Sequence, residues 1–225
     1  MRILLSLILL LGSLLPLSGA LHAQTTPERA RIWAGAMRAF ARQDSLAPPP
    51  AGGSVFTGSS SIVGWRSLAT DFPGRPLLNR GFGGSHFPDV IQHFEQVVKR
   101  YRPRQVVLYV GDNDLGAGRT PAQVIESYRT FARRLRRELP GTRLLYLAIK
   151  PSPSRWHLQP QMREVNRAIR RYCRFRPGRR FADVAAPMLG PSGKPRPELY
   201  QADSLHMTAA GYALWKRVVG PKLVK

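Results

Sequence analysis

From Ser54 onward the chain alternates short apolar runs with amphipathic stretches, and this alternation restricts the fold more than any other feature. The runs "SVFTG" (54–58), "PLLNRGF" (76–82), "RQVVLYVG" (104–111), "TRLLYLAIK" (142–150) and "RRFADVA" (179–185) have the length and content of buried strands. Between and after them, "SIVGWRSLA" (61–69), "FPDVIQHFEQVVKRY" (87–101), "TPAQVIESYRTFARRLRREL" (120–139), "QMREVNRAIRRYC" (161–173) and "TAAGYALWKRVV" (208–219) read as helices. In the 87–101 stretch Val90, Ile91, Phe94, Val97 and Val98 share one face, and Thr120 with Pro121 behind it reads as a helix start. "RQVVLYVG" is apolar without alternation, as expected of a strand covered on both faces. Strands that alternate with helices of this length pair in parallel through helical crossovers. The predicted fold class is therefore α/β, a three-layer α/β/α sandwich on a parallel sheet of about five strands. At 225 residues the chain is long enough to bury such a core in one domain.

The N-terminal residues read differently. Arg2 precedes the apolar "ILLSLILLLGSLLPLSGALHA", which is broken by Gly12, Pro16 and Gly19 and ends in small residues. Residues 1–23 thus have the form of a secretory signal cleaved after Ala20 or Ala23, with an uncleaved anchor as the alternative. The expected location is exported, periplasmic or secreted, with no transmembrane span after the signal. Residues 24–50 come next as an N-terminal helix, with Thr25 or Thr26 as cap and Ile32, Met37 and Phe40 at helical spacing, and a proline-rich linker, "APPPAGG". Residues 51–225 form the main domain. Cys173 is the sole cysteine, so no intramolecular disulfide is available, and it reads as a buried apolar residue.

In open α/β sheets ligands bind beyond the carboxyl ends of the strands. The residues just past each strand are then the test of function. "GSSS" lies after the first, "NRGFGGS" after the second, "GDND" after the third, and "ADSLHMTAAGY" comes after the fifth. Acyl transfer needs a serine hydroxyl, a histidine to take its proton and a carboxylate to orient that histidine. Asp203 and His206, three apart in "DSLH", meet if the segment makes one turn before a helix capped by Thr208. Oxyanion donors are available from the backbone N–H of a serine at the strand-to-helix turn, from Gly84 and from the Asn113 amide. Each block also has a plain reading: helix cap, turn, or capped helix entry with an exposed histidine.

Taken in order, "GSSS", "NRGFGG", "GDND" and "DSLH" resemble the SGNH hydrolases, the esterase superfamily also called GDSL. The resemblance spans roughly Pro48 to the C-terminus. It implies a flavodoxin-like sheet and metal-independent hydrolysis of carboxylic esters, often acyl or acetyl groups on sugars or lipids. No cofactor and no metal are implied. Matching "GSSS" to the family's Gly-Asp-Ser makes Ser60 the nucleophile and puts Ser59 where the family carries aspartate, with Ser59 as the alternative reactive serine. Asp203 and His206 match the triad partners. Ser60, Gly84 and Asn113 match the oxyanion hole. Trp156, His86 and His157 are candidates for lining the substrate pocket, each with a structural alternative as loop pin or helix start. His93 reads as a surface residue, and Trp65 and Trp215 as packing.

The net charge of +22, from 35 Lys and Arg against 13 Asp and Glu, is carried mostly by arginine in "ARRLRREL" (132–139) and "RAIRRYCRFRPGRR" (167–180). One reading is a surface for anionic envelope polymers, and the other a merely solvated basic face. Aromatic residues do not interleave there as nucleic-acid binding requires. The esterase thus has two rivals: an inactive fold that binds carbohydrate, and a basic binder of anionic polymers with an incidental pocket.

Overall fold

The computed structural model describes residues 31–224. The leader and the start of the N-terminal helix lie outside the described residues. Five strands, β1 (Ser54–Gly58), β2 (Leu77–Gly81), β3 (Gln105–Tyr109), β4 (Arg143–Leu147) and β5 (Arg179–Ala182), form one sheet in the order β2-β1-β3-β4-β5. Every pairing is parallel. This is the flavodoxin-like order, in which the connections change direction between β1 and β3.

The absence of polar alternation in the strands has a direct cause. Val106, Leu108, Val110, Leu144 and Tyr146 pack into one buried cluster, while their neighbours Val107, Tyr109, Leu145 and Leu147 pack into another. Successive side chains leave a strand on opposite faces, so a sheet with helices on both sides needs apolar residues at every position. The first face is covered by α1 (Ala34–Leu46), α4 (Phe87–Gln92), α5 (Phe94–Val97), α7 (Pro121–Glu138) and α8 (Gln159–Arg174). The second is covered by α2 (Ser60–Val63), α3 (Leu68–Asp71) and α9 (Ala209–Val219), and α6 (Asp112–Gly116) sits at the end of β3. Trp65 and Trp215 are buried in the second cluster with rings 5.9 Å apart, so both are packing residues. Cys173 is buried, with its Sγ 3.1 Å from the Tyr128 hydroxyl.

Some elements depart from the sequence expectation. The helix expected over 61–69 is two short pieces: α2 ends at Gly64, where only glycine fits because Tyr212 Oη lies 2.5 Å from the position of a Cβ. Trp65 then enters the core instead of continuing the helix. The helix expected over 87–101 is likewise broken at His93 and Val98, leaving α4, α5 and a 3-10 turn at Lys99–Tyr101. His93 is not on the surface. It is 8% exposed and packs edge-on against Phe82, and burial lowers its pKa against the opposing pull of Asp89. In the N-terminal helix the packed residues are Trp33, Ala36, Met37 and Phe40, whereas Ile32 is 56% exposed. Thr120 does cap α7: its Oγ1 accepts the Gln123 N–H and the Gln123 side chain accepts the Thr120 N–H. Among the described residues no helix is long and apolar enough to cross a membrane.

Candidate active site

The exit from β1 sets the first residue of the site. Gly58 adopts φ +125°, and a Cβ there would sit 1.8 Å from the Tyr109 carbonyl oxygen. Only glycine fits, which accounts for the first letter of "GSSS". Ser59 then donates its backbone N–H to that same carbonyl at 3.0 Å and is fully buried. Ser60 opens α2 and is half-buried, so the chain turns one hydroxyl inward and presents the next. His206 settles which serine is engaged: its Nε2 lies 3.0 Å from Ser60 Oγ.

His206 and Asp203 meet through the turn that the "DSLH" spacing predicts. Ser204 takes the left-handed conformation, φ +56°, and its N–H closes on the Gln201 carbonyl. One Asp203 oxygen accepts the N–H groups of Leu205 and His206, each at 2.9 Å, and the other lies 2.5 Å from His206 Nδ1. The hydrogen bond from the His206 ring, then those two backbone N–H groups, hold the Asp203 carboxyl down to about 2. Thr208 caps α9 directly behind, accepting the Gly211 N–H.

The glycine segment after β2 forms a turn closed by Ser85 N–H on the Phe82 carbonyl. Gly84 has φ +74°, as a turn of this kind demands. A Cβ on Gly83 would lie 3.8 Å from Ser60 Cβ, whereas one on Gly84 would meet the Trp33 ring at 3.4 Å. Trp33 thus covers the outside of the turn, also packing edge-on against Phe82 at 5.5 Å. Asn113, on α6, donates its side-chain amide to the Ser85 carbonyl at 3.1 Å, which ties α6 to the glycine turn. An amide has a second N–H, so this bond leaves one donor for a ligand.

The other sequence candidates separate. His86 is the first residue of the α4 boundary; its backbone N–H donates to Asp89, a helix-start role. His157 is exposed and lines neither of the two hollows that meet at Gln201. Trp156 does line one, of about 380 Å³, with Lys194, Tyr200, Gln201 and Ser204, and the Lys194 ammonium sits 4.9 Å over its ring. A second hollow of about 490 Å³ lies on the other side of Gln201, between Arg66, Met207 and Tyr212.

One group escaped the sequence reading. Lys150 is 1% exposed, with its Nζ 3.8 Å from Asp112, and Arg155 approaches the same carboxylate at 3.3 Å. Burial lowers the Lys150 ammonium below its ordinary value, and Asp112 and, more weakly, Asp203 oppose that. Lys150 closes the run "TRLLYLAIK" and lies three residues beyond the end of β4. Among the described residues no group of three His, Cys, Asp or Glu side chains is placed to hold a metal ion.

The profile of the GDSL-like Lipase/Acylhydrolase family matches residues 44–214, most of the chain. The chain belongs to that family. As a member of the GDSL-like lipase/acylhydrolase family it is an ester hydrolase. Solved structures with the same fold include a GDSL-like lipase from Bacteroides thetaiotaomicron, at 18% identity, covering 83% of this chain and 96% of that one, with a TM-score of 0.72. Another is a catalytic mutant of Axe2, an acetylxylan esterase from Geobacillus stearothermophilus, at 14% identity, 77% and 95% coverage and a TM-score of 0.61. A carbohydrate esterase family 3 protein from Talaromyces cellulolyticus is similar at 17% identity, 76% and 95% coverage and a TM-score of 0.60. No curated protein matches the chain.

Proposed function

We propose that this family member is a serine esterase that removes acyl groups, acetyl among them, from carboxylic esters. The observation that carries the reading is the continuous contact from Asp203 through His206 to Ser60, at 2.5 and 3.0 Å, between residues 146 positions apart in sequence. Ser60 Oγ attacks the ester carbonyl carbon while His206 Nε2 takes its proton. Asp203 remains ionised throughout, as its depressed pKa favours, and stabilises the imidazolium. The tetrahedral oxyanion is held by the N–H groups of Ser60 and Gly84 and by the free N–H of the Asn113 amide. Collapse of the intermediate expels the alcohol, which takes the proton from His206. Water, deprotonated by the same histidine, then releases the acid and restores Ser60.

The hollow with Trp156 reaches Ser204, the residue after Asp203, and supports a site for a sugar or acyl group, because a flat aromatic wall accommodates either. Ser59, fully buried and turned away from His206, is not the reactive serine in this reading. The signal-like leader extends the proposal to an enzyme working outside the cytoplasm.

The test is intact-mass labelling with a fluorophosphonate beside Ser60→Ala, with p-nitrophenyl acetate turnover as a second readout. The expected result is a single adduct on Ser60 and a fall in kcat of at least ~10³-fold in the variant at unchanged melting temperature. An adduct on another serine, or full turnover by the variant, overturns the assignment.

A further inference from the structure

The largest charge imbalance lies far from the triad, along two helices that face each other across a groove. On α7, Arg129, Arg133 and Arg136 fall at i, i+4 and i+7, and on α8, Arg167 and Arg171 fall one turn apart with Phe175 a turn further on. All six are exposed, and they line a groove of about 1340 Å³ together with Thr142, Arg143 and Arg179, at the starts of β4 and β5. In a parallel sheet the strand starts lie at the edge opposite the strand exits. The groove and the candidate active site therefore occupy opposite ends of the sheet.

This arrangement works against the stability of the helices that carry it. Like charges one turn apart repel, and here two such rows also face one another. The helix dipole favours Arg136 and Arg171 in the last turns of α7 and α8, but it does not reach Arg129, Arg133 or Arg167. Glu126 relieves one end by pairing with Arg133 at 2.6 Å and Arg129 at 3.5 Å. Arg136, Arg143, Arg167 and Arg171 have no carboxylate partner among the described residues.

We propose that this groove binds a linear acidic polysaccharide. A guanidinium presents a planar fork of donors that matches carboxylate and sulfate oxygens. Arginines one turn apart repeat every ~6 Å along a helix, a spacing on the scale of one sugar unit. The concave shape takes a chain, whereas a bilayer surface is flat. Phe175, 68% exposed, gives an apolar face for a sugar ring, whereas the neighbouring Tyr172 ring already carries the Arg176 guanidinium 4.0 Å over it. Two aromatic rings at one end do not make the repeated stacking platform that single-stranded nucleic acid uses. Bound in this way, the protein is tethered at one end of the sheet with the Ser60 end open. The proposal stands independently of the esterase reading, because neither the residues nor the readout are shared.

Binding of the purified protein to polygalacturonate and to heparin separates the carboxylated from the sulfated source. Neutral dextran, a single-stranded oligonucleotide and phosphatidylglycerol vesicles are the comparisons. The variant Arg136→Gln/Arg167→Gln/Arg171→Gln is run beside a control triple of exposed arginines elsewhere, Arg38→Gln/Arg42→Gln/Arg217→Gln. The expected result is salt-sensitive binding to one or both acidic polysaccharides, weakened about tenfold or more in the groove variant and by no more than about twofold in the control. The melting temperature of the groove variant should be equal to or above the parent's, since repulsion is relieved, and its p-nitrophenyl acetate turnover should match the parent's, which separates lost binding from lost folding. Equal losses in the two triples, no binding at low salt, or tighter binding to the oligonucleotide or vesicles overturns the proposal.

Discussion

Asp203 uses its two oxygens for different tasks: one accepts two backbone N–H groups and the other faces His206 Nδ1. Asparagine can keep its oxygen on the backbone, but its NH2 then faces Nδ1 and forces that nitrogen to accept. The proton moves to Nε2, where Ser60 needs an acceptor. Asp203→Asn should therefore lower kcat by about 10⁴-fold with little change in melting temperature, as steady-state turnover and thermal unfolding would show. Asp114 is a different case, invisible in "GDND", where it reads as a turn residue. Burial raises its carboxyl from 3.8 to about 7, although the Phe87 N–H and Arg119 pull it down. Between these values the folded state keeps a proton that the unfolded chain has released, so this residue's contribution to stability falls as pH rises from about 4 to about 7. Asp114→Asn keeps an oxygen for the Phe87 N–H. Urea unfolding should show that the variant has lost this component of the decline, on the order of a few kcal/mol between pH 4 and pH 8.

Among the elements, α1 is tied to the sheet through a charged clamp. Most of it precedes the residues that match the family, and it is held by Asp44, which pairs with the buried Arg80 and accepts the Tyr101 hydroxyl at 2.7 Å. The Arg80 guanidinium also lies 4.9 Å over Phe40, so the helix is clamped by charge and ring together. Asp44→Ala leaves Arg80 buried without its carboxylate and should cost ~3 kcal/mol in urea unfolding. Because α1 also places Trp33 against the glycine turn, this clamp reaches the active site. The sequence supports a helix here with Ile32, Met37 and Phe40 at helical spacing; Met37 and Phe40 are packed, but Trp33 and not Ile32 joins them, since 3.6-residue spacing alone fits either neighbour. The breaks in 61–69 and 87–101 were hidden for a similar reason: apolar periodicity continues through them, so the pattern does not show where the helix stops.

At the scale of the whole molecule, net charge dominates. With +22 spread over 225 residues and arginine rows facing one another, self-repulsion opposes the compact state. Salt screens that repulsion, so the melting temperature should rise by a few degrees from about 20 mM to about 500 mM sodium chloride. A flat or falling curve would mean that the surface pairs outweigh the excess charge. The sheet separates two chemistries, with serine, histidine and carboxylate at the strand exits and guanidinium groups at the strand starts.

The amino-acid sequence by itself determined the α/β class, the strand cores, the cap at Thr120 and the convergence of four polar blocks at one edge. Residue alternation, helical periodicity and the rule that parallel strands carry their exits to the same side are enough for these, and all are local or topological. The three-residue spacing of Asp203 and His206 allowed those side chains to meet, and the left-handed Ser204 supplies the turn that brings them together. The family resemblance had already preferred Ser60 to Ser59, and the structure puts Ser60 against His206. Tertiary structure alone decided that His93 and Lys150 are buried, that Trp33 backs Gly84, and that two arginine rows line one groove. Each of those depends on which distant segments pack together, and no local pattern records that.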